Sequence, residues 1–462
     1  MTKKLFLGFL ILICLISMNL VVSAQLPNKK QVDQARKLNQ DGEKLYKQKK
    51  YRLAIEKFDQ SIAIMAKNPM GKFGKGLCHY ELKENDAALS ALTGSLDDGF
   101  PAPLQIYQIR WSLFYEKKDF DNALHDLQAA LQARPNDNLL LIAAGDIYRA
   151  KNMDREAISA YEKAAPTAPN GADLFYIIAV SYANLGEYVP QGVAALKAVQ
   201  KQTRFLGESW YLIGDAFQRQ RKFDDAAAAY ERAISAKPDF VNSFINLSQI
   251  YQLLNRLPEA VAIAKKGTEL HPNDGTLFTN LAWYYSLTDQ NEEAVNAGKK
   301  AIQLLPKEAM GYTNLCRAYN DLKQYNSAID ACNSALKISP NDGETNFYMA
   351  RALDFLKKPD AATPYYNKAV KGLIEYTKSL PDNADGYYLL GNAYYAVSKR
   401  PEAINAYKQC LLLSPNFTKA IYNLGYMYVL GGDKTSARTQ YNELLKLDKD
   451  LADKLLQAIN GK

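Results

Sequence analysis

One small side chain, usually alanine, recurs at a nearly constant interval along this chain of 462 residues. Successive copies are 34 or 35 residues apart, except for one gap of 41 residues before Ala403. A fixed period of this size predicts a solenoid in which every copy is a pair of helices. Such an array can reach this length because each copy contacts only its neighbours. The register consists of Ala54, Ala88, Ala123, Ala157, Gln191, Ala226, Ala260, Ala294, Ala328, Ala362, Ala403 and Ala437.

The copy that begins at Gly207 shows how one period is built. Its first half carries a large, a small and an aromatic residue at helical spacing, which places them on one face. Its second half carries an aromatic residue between two alanines. Pro238 then ends the run, because proline cannot continue a helical hydrogen-bond ladder. The two sets are Trp210, Gly214 and Phe217, followed by Ala226, Tyr230 and Ala233.

This pattern resembles the tetratricopeptide repeat, which has the same large, small and aromatic series followed by an Ala, aromatic, Ala and Pro series. Twelve copies match, over about residues 35–448. The resemblance implies an all-α, superhelical solenoid of antiparallel helix hairpins. Two copies depart from the pattern. The second has a Gly-rich first helix, GKFGKG, and the fifth has Gln191 in place of alanine.

Shorter segments flank and interrupt the repeats. Residues 25–34 form a polar lead-in, and residues 449–462 are predicted to be a capping helix and tail, since the end of a solenoid needs a cover. The long gap adds 7 residues, about two helical turns, within residues 370–380. We interpret these residues as an extension of a second helix, which is either a tolerated insertion or a local docking ledge.

The first 24 residues are predicted to be a secretory signal. Lys3 and Lys4 precede an apolar run, and small residues lie at the expected cleavage position, Ala24. The alternative is an uncleaved membrane anchor, because the run is near the length that spans a bilayer. We expect an exported protein, periplasmic or secreted, with no membrane span in the mature chain.

No catalytic motif is recognisable in the sequence. The histidines, His79, His125 and His271, lie in different repeats and have no metal-ligand spacing. Phosphate loops, nucleophile elbows and dinucleotide fingerprints are absent from the sequence. Lysines are scattered among acidic residues, so no basic stripe predicts nucleic-acid binding. We therefore expect a protein that is not an enzyme and has no cofactor or metal site.

Two cysteines, Cys316 and Cys332, fall at inward-facing positions of the two helices of one repeat. In an exported protein they can form a disulfide if their Cα atoms lie within about 7 Å. The alternative, which we favour from the sequence, is a pair of small buried apolar residues without a bond.

A partner surface is predicted from the resemblance. In that family the first helices line a concave groove, which commonly holds an extended peptide. One groove position carries Asn246, Asn280 and Asn314 in successive repeats and Asn423 later. A carboxamide both donates and accepts hydrogen bonds, so it matches a peptide main chain. The alternative is inheritance of asparagine from an ancestral repeat.

Other predicted groove residues surround this ladder. Arg317 and Arg351 are candidates for selecting acidic groups. The tyrosines further along are candidates for a hot spot, since aromatic residues are enriched there. The full set beyond the ladder is Gln249, Trp283, Arg317, Asn320, Arg351, Tyr388, Asn392 and Tyr422.

The predicted function is a protein-protein interaction scaffold that binds protein or peptide partners in its concave groove. One alternative is a structural spacer of an envelope complex, which binds through its ends and convex face. Another is glycan recognition through the tyrosine-rich C-terminal groove. The sequence predicts neither the partner nor the oligomeric state.

Overall fold

The computed structural model describes residues 27–461, and in that range the chain consists of helices joined by short turns, with no strand. The predicted all-α solenoid of antiparallel helix hairpins is confirmed. The predicted signal, residues 1–24, lies outside the described range. No helix within residues 27–461 is both long enough and apolar enough to cross a membrane.

The described helices divide between two compact units, and the first unit ends at Glu187. Its helices are α1 (Lys29–Lys47), α2 (Tyr51–Ile64), α3 (Pro69–Glu81), α4 (Asn85–Asp97), α5 (Pro103–Glu116), α6 (Phe120–Ala133), α7 (Asn138–Ala150), α8 (Asp154–Ala164) and α9 (Gly171–Asn184).

The second unit begins at Tyr188. Its helices are α10 (Tyr188–Gln200), α11 (Leu206–Arg219), α12 (Phe223–Ala236), α13 (Val241–Leu253), α14 (Leu257–Leu270), α15 (Gly275–Leu287), α16 (Asn291–Leu304), α17 (Ala309–Asp321), α18 (Tyr325–Ile338), α19 (Gly343–Phe355), α20 (Pro359–Ser379), α21 (Ala384–Ala396), α22 (Arg400–Leu413), α23 (Thr418–Leu430), α24 (Lys434–Leu447) and α25 (Lys449–Ile459).

The repeated small residue of the sequence lies where helices pack most closely. Every alanine of the register has no exposed surface. Gln191, the exception, is also fully buried, and its Nε2 donates to the carbonyl oxygen of Leu212 at 2.9 Å and to Asp215 at 3.0 Å. The larger side chain is therefore tolerated because its amide finds hydrogen-bond acceptors on α11.

Glycines of the first helices make room for aromatic side chains of the second helices. A Cβ atom at Gly145 would lie 2.5 Å from the Tyr161 ring, and one at Gly391 would lie 2.5 Å from the Tyr407 ring. Both tyrosines are almost fully buried. Close packing of these rings against backbone therefore accounts for the recurrence of glycine at this position.

The long helix α20 contains the additional residues of the tenth repeat. Its last turns lie against the N-terminal ends of the first helices on either side. A Cβ atom at Gly343, at the start of α19, would lie 2.5 Å from the Leu373 backbone nitrogen. One at Gly386, in α21, would lie 2.9 Å from the Tyr376 ring. The extension therefore positions the start of α21.

Helix α25 covers the last hairpin. Its buried residues Ala452, Leu455 and Ile459 pack in one cluster with Ile421 and Leu444. The Asp448 side chain begins the helix by accepting a hydrogen bond from the Leu451 backbone nitrogen at 3.0 Å. The apolar face of the final repeat is thereby removed from water.

Candidate functional site

The second unit encloses a cavity of about 1090 Å³. Its walls come mainly from α13, α15, α17, α19, α21 and α23, the first helices of six consecutive hairpins, and from adjoining turns. Small-ligand pockets are typically about 300–1,000 Å³. The cavity therefore has room for a short segment of a partner rather than for a folded domain.

Three polar contacts join early and late hairpins of this unit across the cavity. Arg221 pairs with Asp382 at 2.6 Å, and Lys419 pairs with Asp289 at 3.3 Å. The third contact is a hydrogen bond from Gln252 Nε2 to Asp385 at 3.2 Å. The residues of the two pairs are 161 and 130 positions apart. The hairpins of this unit are therefore stacked in a tight curve, whose concave side is the cavity.

Arg317 is the most buried cation of the cavity lining. It is only 6% exposed, its Nη2 is hydrogen-bonded to Glu344, and its guanidinium lies 5.4 Å from the centre of the Tyr348 ring. Burial lowers the pKa of the guanidinium, but the nearby Glu344 and Tyr348 have a larger opposite effect. The pKa therefore lies above its ordinary value. Its charge is therefore already compensated within the chain.

Arg351 is compensated in a similar way. Its Nη1 donates to Asp321 at 2.9 Å, which joins α19 to α17. Its guanidinium also lies 5.8 Å from the centre of the Phe355 ring. Both arginines that were predicted to select acidic groups therefore form ion pairs between neighbouring repeats.

Asp385 lies in the first turn of α21 and faces the cavity. Its Oδ2 accepts a hydrogen bond from Gln252 Nε2 of α13 at 3.2 Å, between residues 133 positions apart. No cationic nitrogen of the described chain lies within ion-pair distance of it. Burial raises the pKa of Asp385, against the opposing influence of Arg317, Gln252 and Lys419.

The three successive asparagines of the predicted ladder lie outside the cavity lining and differ from one another. Asn246 Nδ2 donates to the hydroxyls of Tyr230 at 3.0 Å and Tyr211 at 3.2 Å. Asn314 is 2% exposed, and its Nδ2 donates to the carbonyl oxygen of Thr279 at 2.9 Å. Asn280 Nδ2, by contrast, is a buried donor without a partner.

The late repeats contribute a small hydrogen-bond network to the cavity. Asn392 Oδ1 accepts from the Tyr407 hydroxyl at 2.7 Å and from Asn423 Nδ2 at 2.8 Å. Tyr388 lies beside Phe417, with 5.0 Å between ring centres. Amide and aromatic groups therefore alternate along this wall.

Four further predicted residues also lie outside the lining. Asn320 is 2% exposed and donates to the carbonyl oxygen of Tyr348 at 3.1 Å, so it holds α17 against α19. Tyr422 is stacked on Tyr426 with 6.3 Å between ring centres. Trp283 has a buried Nε1 without a partner, and Gln249 is partly buried on α13.

The structure therefore brings five of the twelve predicted residues together in the cavity and places seven elsewhere. A binding role stays a prediction for all of them. The five are Arg317, Arg351, Tyr388, Asn392 and Asn423. The seven are Asn246, Gln249, Asn280, Trp283, Asn314, Asn320 and Tyr422.

The two cysteines of the ninth repeat are joined. Cys316 of α17 and Cys332 of α18 form a disulfide, with 5.2 Å between their Cα atoms. Our favoured prediction of two unbonded residues is therefore wrong. The physical reason is their position: each lies where the two helices of the hairpin approach most closely, and this Cα separation is within the usual range for disulfides.

Three acidic residues of the site, Glu344, Asp382 and Asp385, were not predicted from the sequence. Ion pairs between adjacent repeats could be predicted from the sequence, because their two residues are separated by nearly one repeat length. Arg351 and Asp321 are 30 positions apart, and Lys117 and Asp86 are 31 apart. Asp382 and Asp385, however, meet partners four or more repeats away, and no periodic pattern predicts such contacts.

Family comparisons agree with the repeat register. Family models described as tetratricopeptide repeat match residues 112–173, 211–275, 311–342, 384–417 and 419–451. These matches lie in both units and include four of the six first helices that line the cavity.

Individual relatives match only parts of the chain or match it at low identity. A peroxisomal targeting signal receptor from Candida glabrata is 38% identical over 76 residues, 16% of this chain and 13% of that protein. The receptor from Candida albicans is 33% identical over 108 residues, 23% of this chain and 17% of that protein. The chain thus spans less than a fifth of these relatives.

Among solved structures, that of yeast Tom70 is 17% identical and covers 92% of this chain and 94% of its own, with a TM-score of 0.40. The family models and the buried register of small residues agree on one assignment. The chain is a tetratricopeptide repeat protein with about a dozen repeats.

Proposed function

We propose that this protein is an exported, non-enzymatic scaffold that holds a segment of a protein partner in the cavity of its second unit. The observation that carries the proposal is the cavity itself. It lies on the concave side of six hairpins, and it combines aromatic rings with amide and carboxylate groups. Such a mixture is typical of sites that recognise polypeptide segments.

The comparisons support a receptor role of this kind. The matched proteins from two Candida species are named as receptors for a targeting signal. Their match to this chain is short, so it supports the class of activity and not the identity of the signal.

The exported location is supported by two features. One is the basic and apolar start of the sequence. The other is the disulfide between Cys316 and Cys332, because such bonds persist in oxidising compartments and are rare in the cytosol. Both cysteines are fully buried in the fold, so the location is tested by thiol alkylation after the cells are quenched with acid and the protein is unfolded. We expect both cysteines to resist alkylation until a reductant is added, and immediate alkylation of both would contradict export.

Affinity capture with paired variants tests the cavity. Tyr395 lines the cavity and is 44% exposed, whereas Leu412 is 75% exposed and lies outside the lining. Residues 25–462 are used to capture proteins from the source cells, beside Tyr395→Ser and Leu412→Ser variants. We expect one set of partners to be lost by the first variant and kept by the second. Equal capture by all three proteins would contradict partner binding in the cavity and would favour a structural spacer that binds through other surfaces.

A second candidate is recognition of a glycan. The exposed ring of Tyr395 lies edge-on to Tyr426, with 6.4 Å between ring centres, and the amides of Asn392 and Asn423 line the same cavity. Flat aromatic faces beside amide groups suit stacked sugars. Binding of oligosaccharides that Tyr395→Ser abolishes, without retention of any protein partner, would favour this alternative.

A further inference from the structure

We propose that the cavity selects a partner segment that carries a basic side chain, a lysine or an arginine, and that Asp385 receives its charge. The inference rests on the proposed function, because it names the chemistry of the partner at the same cavity. It reverses the charge preference that the sequence suggested through Arg317 and Arg351.

The cations that line the cavity are largely balanced by acidic groups of the chain itself. Three of the four cations are paired with acidic groups of the chain: Arg317 with Glu344, Arg351 with Asp321, and Lys419 with Asp289. The fourth is Lys357, which lies in an exposed turn at the rim. The interior cations therefore have little unbalanced charge to offer an acidic ligand.

The carboxylates of the lining are not balanced in the same way. Asp321 and Asp382 have arginine partners, and Asp354 is an exposed residue that accepts from the Tyr366 hydroxyl at 2.8 Å. Asp385 is partly buried, yet its side chain accepts a hydrogen bond only from the neutral amide of Gln252. A carboxylate removed from water is stabilised most by a cation, so this position favours a basic ligand group.

The surroundings of Asp385 have an excess of negative charge. Burial, followed by the charges of Glu344, Asp385 and Asp342, raises the pKa of the neighbouring Tyr376 to about 12. Arg317 acts in the opposite direction and lowers the pKa of Tyr376. One further positive charge from a ligand would therefore reduce this excess of negative charge.

The position of Asp385 also suits a cation geometrically. Tyr388 follows it by three residues on α21, so both side chains lie on the same face of the helix. Both line the cavity. A lysine or arginine paired with Asp385 would therefore lie beside the Tyr388 ring, and aromatic faces attract cations at such distances.

The test uses one host peptide whose central residue is lysine, arginine, norleucine or glutamate. Its binding is measured by fluorescence polarisation with residues 25–462. We expect the lysine and arginine peptides to bind at least tenfold more tightly than the norleucine peptide, since a close charge pair contributes about 1.5 kcal/mol or more. The glutamate peptide is expected to bind weakest.

The matched variants are Asp385→Asn and Asp360→Asn. Each removes a carboxylate from the second residue of a helix, but Asp360 is exposed on α20 and lies outside the cavity lining. Asparagine at 385 can still accept from Gln252, so the contact between α13 and α21 is kept. We expect Asp385→Asn to abolish the preference for basic residues, Asp360→Asn to keep it and Asp385→Glu to restore it. Circular dichroism checks the fold of each variant.

The outcomes separate the two proposals. If the four peptides bind equally, or if Asp385→Asn keeps the preference, the charge inference is wrong while the cavity remains a partner site. Preference for glutamate would also overturn it. If no peptide binds and affinity capture is insensitive to Tyr395→Ser, both the inference and the proposed function fail.

Discussion

Replacing Gly372 with alanine is predicted to destabilise the second unit, although the same change stabilises most helices. Gly372 lies in the extension of α20. A Cβ atom there would lie 2.7 Å from the Gly343 backbone nitrogen and would also collide with the Asn341 carbonyl oxygen. Both are backbone atoms, so neither can rotate away. The only relief is movement of α20 away from the start of α19.

Two opposing effects determine the magnitude. Alanine is favoured over glycine in a helix interior by about 1 kcal/mol. Overpacking a close contact costs about 1–3 kcal/mol, and a collision with several backbone atoms of residues 341–343 places this case at the upper end. We therefore expect Gly372→Ala to lower the free energy of unfolding of the second unit by about 1–2 kcal/mol.

The assay is urea unfolding followed by circular dichroism, with amide hydrogen exchange of residues 343–379 to locate the change. Gly94→Ala is the control. A Cβ atom at Gly94, in α4, would approach only the flexible Lys72 side chain, at 3.3 Å. This control is expected to be neutral or stabilising by up to about 1 kcal/mol. A Gly372→Ala protein as stable as the unmodified chain would refute the reasoning about helix approach.

Two further predictions concern stability. Replacing Cys316 and Cys332 with alanine is expected to lower the free energy of unfolding by about 3 kcal/mol, because the disulfide closes a loop with a sequence separation of 16. A reductant should lower the melting temperature of the unmodified protein and leave that of the variant unchanged. Asn314→Ala is expected to cost about 1 kcal/mol in urea unfolding, since it removes the hydrogen bond from Asn314 Nδ2 to the Thr279 carbonyl oxygen. Asn280→Ala should cost clearly less, because Asn280 Nδ2 has no partner to lose, and equal costs would contradict this distinction.

Much of the fold could be predicted from the sequence because its determinants are local and repeated. The register of small residues marks the positions of closest helix approach, and the structure buries every one of its alanines. Each repeat is specified by contacts within itself and with its neighbours, so one pattern predicts a dozen hairpins. The close approach at Gly145 and Gly391 follows from the same pattern, since a large aromatic ring lies opposite.

The site could be predicted only in part. The pairing of Arg317 with Glu344 depends on two neighbouring helices and on how deeply the pair is buried, which a pattern of residue types does not specify. Asp385 meets Gln252 because five hairpins curve enough to bring α13 and α21 together. Curvature accumulates from small rotations at each helix contact, and the sequence period carries no measure of those rotations.

Site-specific photo-crosslinking shows whether a partner binds in the cavity of the second unit. A benzophenone amino acid replaces Tyr395 in one protein and Leu412 in another, and both are expressed and irradiated in the source cells. If the cavity is the binding site, we expect a discrete crosslinked partner at position 395 and none at position 412. A partner crosslinked only at position 412, or crosslinked equally at both positions, would contradict binding in the cavity.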